Sequence, residues 1–476
     1  MTTSTPALRT GTTAGRGTLL AAILASGMVF LDSTVVNVAL PRLGQDLGAT
    51  VADLQWTING YLLMLAAFVL LGGALGDRFG RRRVFLIGVV WFTVASVLCG
   101  LAQGTGTLIV ARVLQGAGGA LLTPGSLSVL QASFHPDDRG KAIGTWAGLS
   151  GVSTAIGPFV GGWLIDALSW RWIFFINVLF AVPVVLAALR WVPESRDENA
   201  ARSGGRRFDI LGALLGALGL AGITYALIDA PARGLGSPAV LVSALAGVLA
   251  AVAFVLVERR RGESAMLPTG LFRSRLFSAL NVFTVVVYAA LGGFTFFLAV
   301  YLQNAVGWSA LMTGLATLPL TVLLLVGSSR AGALAARIGP RLPLTVGPVV
   351  AAAGLLLLRR VGPGASYWVD VLPGVTLFGL GLTLVVAPLT ASVLAAVNDR
   401  FAGVASGFNN AASRVGGLLA VAALPLLVGL SGTGYEQPRE LTHAYRGALL
   451  WCAGLLLAGA LLAATSTARA RAEQQG

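Results

Sequence analysis

Fourteen apolar runs punctuate this chain, each about as long as a helix must be to cross a bilayer. They cover residues 18–40, 55–76, 84–102, 107–131, 142–164, 172–192, 208–228, 239–257, 277–302, 310–334, 342–361, 368–394, 402–428 and 444–464. Crossing about 30 Å of hydrocarbon takes roughly 20 helical residues. Of the 476 residues, 56% are hydrophobic and only 11% are charged, whereas a soluble domain carries about 25% charge. The expected fold class is an all-α polytopic membrane protein with fourteen spans.

Composition also narrows the chemistry. Cys99 and Cys452 both lie inside apolar runs, which argues against a disulfide scaffold or a cysteine-based metal site. His135 and His443 sit in loops far apart in sequence and leave little for metal binding. A formal charge of +14 would point to nucleic acid in a soluble protein. Here the arginines fall in short loops between spans, so topology and anionic membrane lipids account for them, and no nucleic-acid partner is expected. The first apolar run continues as a full span, so no cleaved leader is expected.

Between the second and third runs lies a polar hinge, Gly76-Asp77-Arg78-Phe79-Gly80-Arg81-Arg82-Arg83, with four arginines, one carboxylate and two glycines. It recurs. Residues 73–88 read GALGDRFGRRRVFLIG and residues 332–347 read GALAARIGPRLPLTVG, identical at seven of sixteen positions. The copies follow spans 2 and 10, an offset of eight where two directly joined six-helix halves would give six. Two extra spans therefore lie between the halves, the seventh and eighth, flanked by polar linkers at 193–207 and 258–275. The expected organisation is an N-terminal tail (1–17), a six-helix bundle (18–192), linkers with two inserted helices (193–275), a second six-helix bundle (276–464) and a C-terminal tail (465–476). Placing the N-terminus in the cytoplasm leaves 24 of the 33 Lys and Arg residues at the inner face. Both termini are therefore expected to be cytoplasmic. A parallel repeat of six-helix bundles is a transporter architecture, with its substrate site near the midplane between the halves.

Asp32 is the only carboxylate well inside a span, in LDSTVVNVALP. An ionised Asp at a helix centre costs roughly 2.5–3.5 kcal/mol, so such residues usually face a cavity and act there. Proton or cation handling is the expectation; a structural hydrogen bond to a neighbouring Ser or Thr is the alternative. Arg112 in span 4 is the expected partner. It shares one helix face with Gln115, Gly116 and Gly119, and its alternative is to snorkel to the outer headgroups. Arg414 is a second buried cation, with no embedded acid in the C-terminal half to neutralise it. It is left either a structural bond to backbone carbonyls or an anionic group of a substrate. Polarity within the spans adds Trp56, Asn59, Tyr61, Gln115, Asn281, Tyr288, Phe294 and Asn409 as candidate cavity residues. Gly157, Pro158, Gly161 and Gly162 in span 5 form a close-packing, bendable stripe.

Taken together, LDSTVVNVALP in span 1, GDRFGRRR after span 2 and ARVLQGAGGALLTPGSLSVL in span 4 resemble signatures of the major facilitator superfamily. GPFVGG in span 5 resembles the signature of its proton-coupled antiporters. Trp170-Arg171-Trp172-Ile173-Phe174-Phe175-Ile176-Asn177-Val178 and the Asn-rich, Arg-bearing span 13 resemble the fourteen-span drug:proton antiporter family. The resemblance implies a major facilitator fold of two six-helix bundles plus two central helices. It implies that Asp32 couples protons and Arg112 assists, that Gly157, Pro158, Gly161 and Gly162 belong to the antiport signature, and that Gly76, Asp77, Arg78, Gly80, Arg81 and Arg82 form a cytoplasmic gate. It also implies an exporter in a bacterial cytoplasmic membrane, driven by the proton gradient without a cofactor and working as a monomer among lipids. Spans 7–14 contain no embedded Asp or Glu, where several exporters of cationic drugs carry extra acids. A neutral, zwitterionic or weakly anionic amphipathic substrate is therefore at least as well supported as a cation. The functional expectation is antiport of amphipathic small molecules, of the multidrug or antibiotic efflux kind. Its alternatives are a dedicated exporter of one metabolite and a proton-coupled importer. An enzyme is not expected, because no histidine cluster, phosphate loop or paired nucleophile and base is present.

Overall fold

The computed structural model describes residues 7–196, 209–262, 267–398 and 401–475. Most of the first polar linker and the middle of the second lie outside them. Among the described residues, fourteen helices are long and apolar enough to cross a membrane. They are α1 (Thr13–Leu47), α2 (Val51–Phe79), α3 (Arg81–Gly100), α4 (Thr105–Ser133), α5 (Pro136–Ala167), α6 (Trp172–Trp191), α7 (Ile210–Arg233) and α8 (Pro238–Arg261). The second set comprises α9 (Arg275–Asn304), α10 (Ala310–Ile338), α11 (Arg341–Leu358), α12 (Tyr367–Ala395), α13 (Ala402–Val428) and α14 (Pro438–Ser466).

The ends of several helices depart from the apolar runs, for physical reasons. α1 was expected to end at Leu40 but continues through Pro41 to Leu47. The proline forfeits one helix hydrogen bond. In return Leu43 is buried and Gly44 packs beneath the Tyr435 hydroxyl of the other half. The helix stops at Gly48, in the left-handed conformation with φ +61°. α2 opens with a reciprocal cap in which Thr50 and Asp53 exchange bonds of 2.9 and 3.2 Å. α10 is stepped at Thr317 between Ala310–Ala316 and Leu318–Ile338, because Pro319 has no N–H to continue the ladder.

α1–α6 pack together, as do α9–α14, and the two groups meet along α2–α13, α5–α10 and α1–α9. Hydrogen bonds that join them gather at the end of the bundle away from the hinge. Gln55 donates to the carbonyls of Val421 and Ala422 at 2.7 and 3.0 Å, and Gln303 donates to Val38 O at 2.8 Å. The Tyr435 hydroxyl donates to Ala49 O at 2.8 Å. The Asp166 carboxylate caps α10 by accepting from the amides of Ala310 and Leu311 at 3.2 and 2.8 Å. The halves are thus knitted at the far end.

The inserted pair α7 and α8 is a hairpin held by small residues, with Gly222 against Ser243 O and Gly247 and with Gly219 against Ala251. Only 11% of the apolar stretch of α8 is buried, so this helix is the most lipid-facing of the set. α7 lies against both α2 and α13 and covers the seam between the halves from outside. At the hinge end Asp209 caps α7, accepting from Gly212 N at 2.6 Å, and pairs with Arg261 of α8. Glu258 accepts from Leu267 N at 2.7 Å, tying the hairpin to the chain that leads into α9.

Candidate functional site

In the middle of the N-terminal half, α1, α2, α3, α4 and α6 converge on one polar cluster. α1 supplies Asp32 and α4 supplies Arg112 and Gln115, all at 1% exposure or less. Arg112 Nη1 donates to Asp32 Oδ2 at 2.6 Å and to Gln115 Oε1 at 2.7 Å, while its Nε donates to Thr57 O of α2 at 3.0 Å. Gln115 Nε2 donates to the other carboxylate oxygen, Asp32 Oδ1, at 2.8 Å. Both oxygens of the acid are therefore engaged. The guanidinium also lies 4.3 Å from the Tyr61 ring centroid and 5.9 Å from that of Phe174. A buried charge survives only when paired and hydrogen-bonded, and here it is both. Arg112 does not snorkel, and Asp32 is not satisfied by a neighbouring hydroxyl.

The cluster extends to α3 and α6. Gln115 Nε2 donates to Ser96 Oγ of α3 at 3.2 Å, Asn177 Nδ2 of α6 donates to the same oxygen at 2.9 Å, and Ser96 donates on to Phe174 O at 2.9 Å. Cys99 Sγ lies 3.5 Å from Gln115 Oε1. Ser96 and Asn177 are isolated polar residues in otherwise apolar spans, which was the available signal. Gln115 was expected to line a cavity; instead its amide is taken up by Asp32, Arg112 and Ser96.

Other expected cavity residues divide. Asn409 of α13 donates to Asn281 Oδ1 at 3.1 Å and to Thr284 Oγ1 at 2.7 Å, both on α9. Tyr288 is half-buried one turn further along α9. Asn59 is fully buried with neither amide atom partnered, and the buried Tyr61 hydroxyl also has no partner. Trp56 turns to the inserted hairpin, its ring 6.3 Å from Tyr225 of α7. Phe294 faces away from the seam. It is fully buried inside the C-terminal half with its ring 4.5 Å from Phe378, because a large apolar ring in a bundle interior packs first against its own bundle. Arg414 is half-buried and makes no hydrogen bond or ion pair with a described residue; its Nε is buried without a partner.

The span 5 stripe lies between α1 and α10. A side chain at Gly157 would strike Thr34, and one at Gly161 would lie 2.7 Å from Val35 Cγ1. One at Gly162 would lie 2.5 Å from Ala310 O, and Gly314 of α10 abuts the Pro158 carbonyl. Helix α5 thus touches its own half with one edge and the other half with the next. At the hinge, Arg81 binds Asp77 at 2.8 Å within its own segment, and Arg78 lies over Phe79, 5.7 Å from the ring centroid. The Gly80 amide bonds Gly76 O at 3.1 Å and turns the chain with φ +110°. The residues after α6 complete this corner: Arg82 N donates to Glu194 Oε1 at 3.1 Å, and Arg82 Nη1 donates to Val192 O at 3.2 Å. The sequence alone assigns Glu194 only to a polar linker.

Two six-helix groups meeting at a central seam, with an acid and an arginine buried mid-span, define a secondary transporter. The sequence profile of the Major Facilitator Superfamily matches residues 22–421, and the chain belongs to that family. It is 40% identical to a tetracenomycin C resistance and export protein of Streptomyces glaucescens, over 86% of this chain and 75% of that protein. It is 38% identical to a puromycin resistance protein of Streptomyces alboniger, over 94% and 90%. It is 34% identical to a cephamycin export protein of Amycolatopsis lactamdurans, over 100% and 98%. The fold also matches a crystal structure of a peptide transporter in complex with sulfate, with a TM-score of 0.68 at 15% identity over 97% of each chain.

Proposed function

We propose that the protein is a proton-coupled secondary exporter of amphipathic small molecules, of the multidrug or antibiotic efflux kind, working by alternating access in the cytoplasmic membrane. The observation that carries the coupling is the buried Asp32–Arg112–Gln115 cluster, in which one acid holds one cation and one amide. A proton on Asp32 removes the charge that Arg112 balances. The two states then favour different partners for Arg112, which gives proton uptake a differential interaction energy to bias the packing of α1 against α4. Asp32 is the proton-carrying group in this reading and Arg112 the group that answers it. Ser96 and Asn177 hold Gln115 in place, and the glycines of α5 form the surface on which the halves pivot. Gly76, Asp77, Arg78, Gly80, Arg81 and Arg82 serve the cytoplasmic gate.

Arginine bias supports a cytoplasmic hinge. With that orientation, hydrogen bonds joining the halves at the far end favour a transporter closed to the outside, the state in which an exporter loads. A dedicated exporter of one compound is the second reading, favoured by relatives named for single compounds. A compound-susceptibility screen in an efflux-deficient host, with and without the gene, tests both. Resistance to many amphiphiles is expected; resistance to one compound selects the dedicated reading, and no change for any compound overturns export.

A further inference from the structure

We propose that Arg414 is an oxyanion-recognition site at the seam between the halves, selecting amphiphiles that bear an acidic group, a carboxylate above all. This names the substrate class of the exporter proposed above and rests on that reading for the direction of transport, but not for the recognition itself.

Two contacts set the position of Arg414. Gln55 of α2 bonds the carbonyls of Val421 and Ala422 of α13, and Leu70 of α2 abuts Gly407 of α13. The helices are antiparallel and in register through both contacts. Gly407, Arg414 and Val421 follow at intervals of seven and so share one stripe of α13. That stripe faces α2, and it sets Arg414 beside the turn at Leu62–Leu63, within a turn of Asn59. Arg414 lies twelve residues into α13, about 18 Å along the axis, too deep to snorkel to either surface.

No described acid neutralises it. Asp32 has both oxygens committed to Arg112 and Gln115. Asp166 caps α10, Asp229 is paired with Arg233, and Glu258 is tied to Leu267 at the hinge end. No described backbone carbonyl accepts from Arg414 either. Within a turn of that point on α2, both amide atoms of Asn59 and the Tyr61 hydroxyl are buried without a partner, as is Arg414 Nε itself. Buried polar atoms are nearly always satisfied, so a concentration of unpartnered ones marks a place where something else supplies the partner. Guanidinium, phenol and amide are all donors, and together they suit an oxyanion on an otherwise apolar molecule. A cationic amphiphile would meet an uncompensated positive charge here and be disfavoured.

The experiment uses three fluorescent probes of one shape: 2-anthracenecarboxylate, 2-anthracenecarboxamide and 2-(aminomethyl)anthracene in its ammonium form. Binding is titrated on the full chain in lipid nanodiscs at neutral pH. Wild type is expected to bind the carboxylate about 10- to 100-fold more tightly than the carboxamide, the span of a charge-assisted hydrogen bond, with the ammonium weakest. Arg414→Gln is expected to abolish the preference while leaving the carboxamide nearly unaffected, and Arg414→Lys to retain part of it. Equal binding of carboxylate and carboxamide to wild type overturns the proposal, whether or not any variant folds. So does a preference that survives Arg414→Gln. Transport separates this from the broader reading. Probes bound in the expected order but not moved under an imposed pH gradient would sink export and leave the site standing. A carboxamide exported as well as the carboxylate, with no binding preference, would sink the site and leave export standing.

Discussion

The two halves share a helix count and a hinge but handle buried charge in opposite ways. In the N-terminal half, Asp32 and Arg112 neutralise each other at 2.6 Å, and Gln115, Ser96, Asn177 and Thr57 O absorb the remaining valences. In the C-terminal half, Asn409, Asn281 and Thr284 satisfy one another while Arg414 stands alone among the described residues. An arginine at a helix centre costs roughly 2.5–3.5 kcal/mol, a cost that the oxyanion site proposed above would account for. A closed network can change state by gaining or losing one proton. A single unpaired cation can change state only by gaining a partner. On the two proposals above, the difference is a division of labour, with proton exchange in one half and ligand charge recognition in the other.

The largest effect that could break this comparison comes from Asp32→Asn. Outward transport by proteoliposomes under an imposed pH gradient is expected to fall at least about 100-fold, a loss on the scale of removing an acid–base group. The protein should still insert. Undiminished transport would remove the proton role from this half. Arg112→Ala follows. It strands a buried carboxylate, which costs about 3–5 kcal/mol, and a lowered thermal unfolding midpoint is the expected reading. Arg112→Lys keeps the charge but cannot hold Asp32, Gln115 and Thr57 O together with one fork, so it should retain only part of the rate. The double variant Asp32→Asn/Arg112→Gln should recover much of the stability and none of the coupling. If it also transports with proton dependence, the cluster is structural.

Much of this was legible in the sequence, and the exceptions have a common cause. Helix number follows from run length, because lipid leaves the backbone no other partner. Asp32 and Arg112 stand out because an embedded charge is rare, and helical spacing places Gln115 on the face of Arg112. Hidden from view was whatever depends on which neighbour arrives. Ser96 and Asn177 gain meaning only when α3 and α6 close over Gln115. Phe294 looks like a cavity wall until Phe378 covers it. The extension of α1 beyond Pro41 is decided by Tyr435, nearly four hundred residues away in sequence. Glu194 gains its role only when the chain after α6 folds back on Arg82.

The hinge copies sharpen the comparison at smaller scale. Gly80 and Gly339 occupy equivalent positions and both have positive φ, +110° and +85°. The turn is therefore preserved in both halves. Among the described residues, only the first copy is latched, to the chain after α6. A Cβ at Gly80 would lie 2.7 Å from Glu194 Oε1 as well as adopting a strained φ. Gly80→Ala is thus expected to cost more than about 1 kcal/mol of stability, visible as a lowered thermal midpoint; an unchanged midpoint would mean that Glu194 does not press on this turn.

The smallest expected effect on stability belongs to Asp77, whose counterpart in the second copy is Ala336. Its bond to Arg81 is an i,i+4 pair with the carboxylate 42% exposed. Such pairs contribute about 0.3–0.5 kcal/mol, so Asp77→Ala should barely move the thermal midpoint. Its effect should appear in the other conformation. If the carboxylate is kept in one half as a latch for the closed hinge end, removing it shifts the population toward the cytoplasm-facing arrangement proposed above. A reporter is available, because Cys99 and Cys452 are both buried and Ser406 of α13 is exposed beside Gly407. Maleimide labelling of Ser406→Cys should then run faster in the Asp77→Ala background, with a midpoint close to wild type. Unchanged labelling would reduce Asp77 to a local brace for Arg81. The two hinges would then differ in sequence without differing in function.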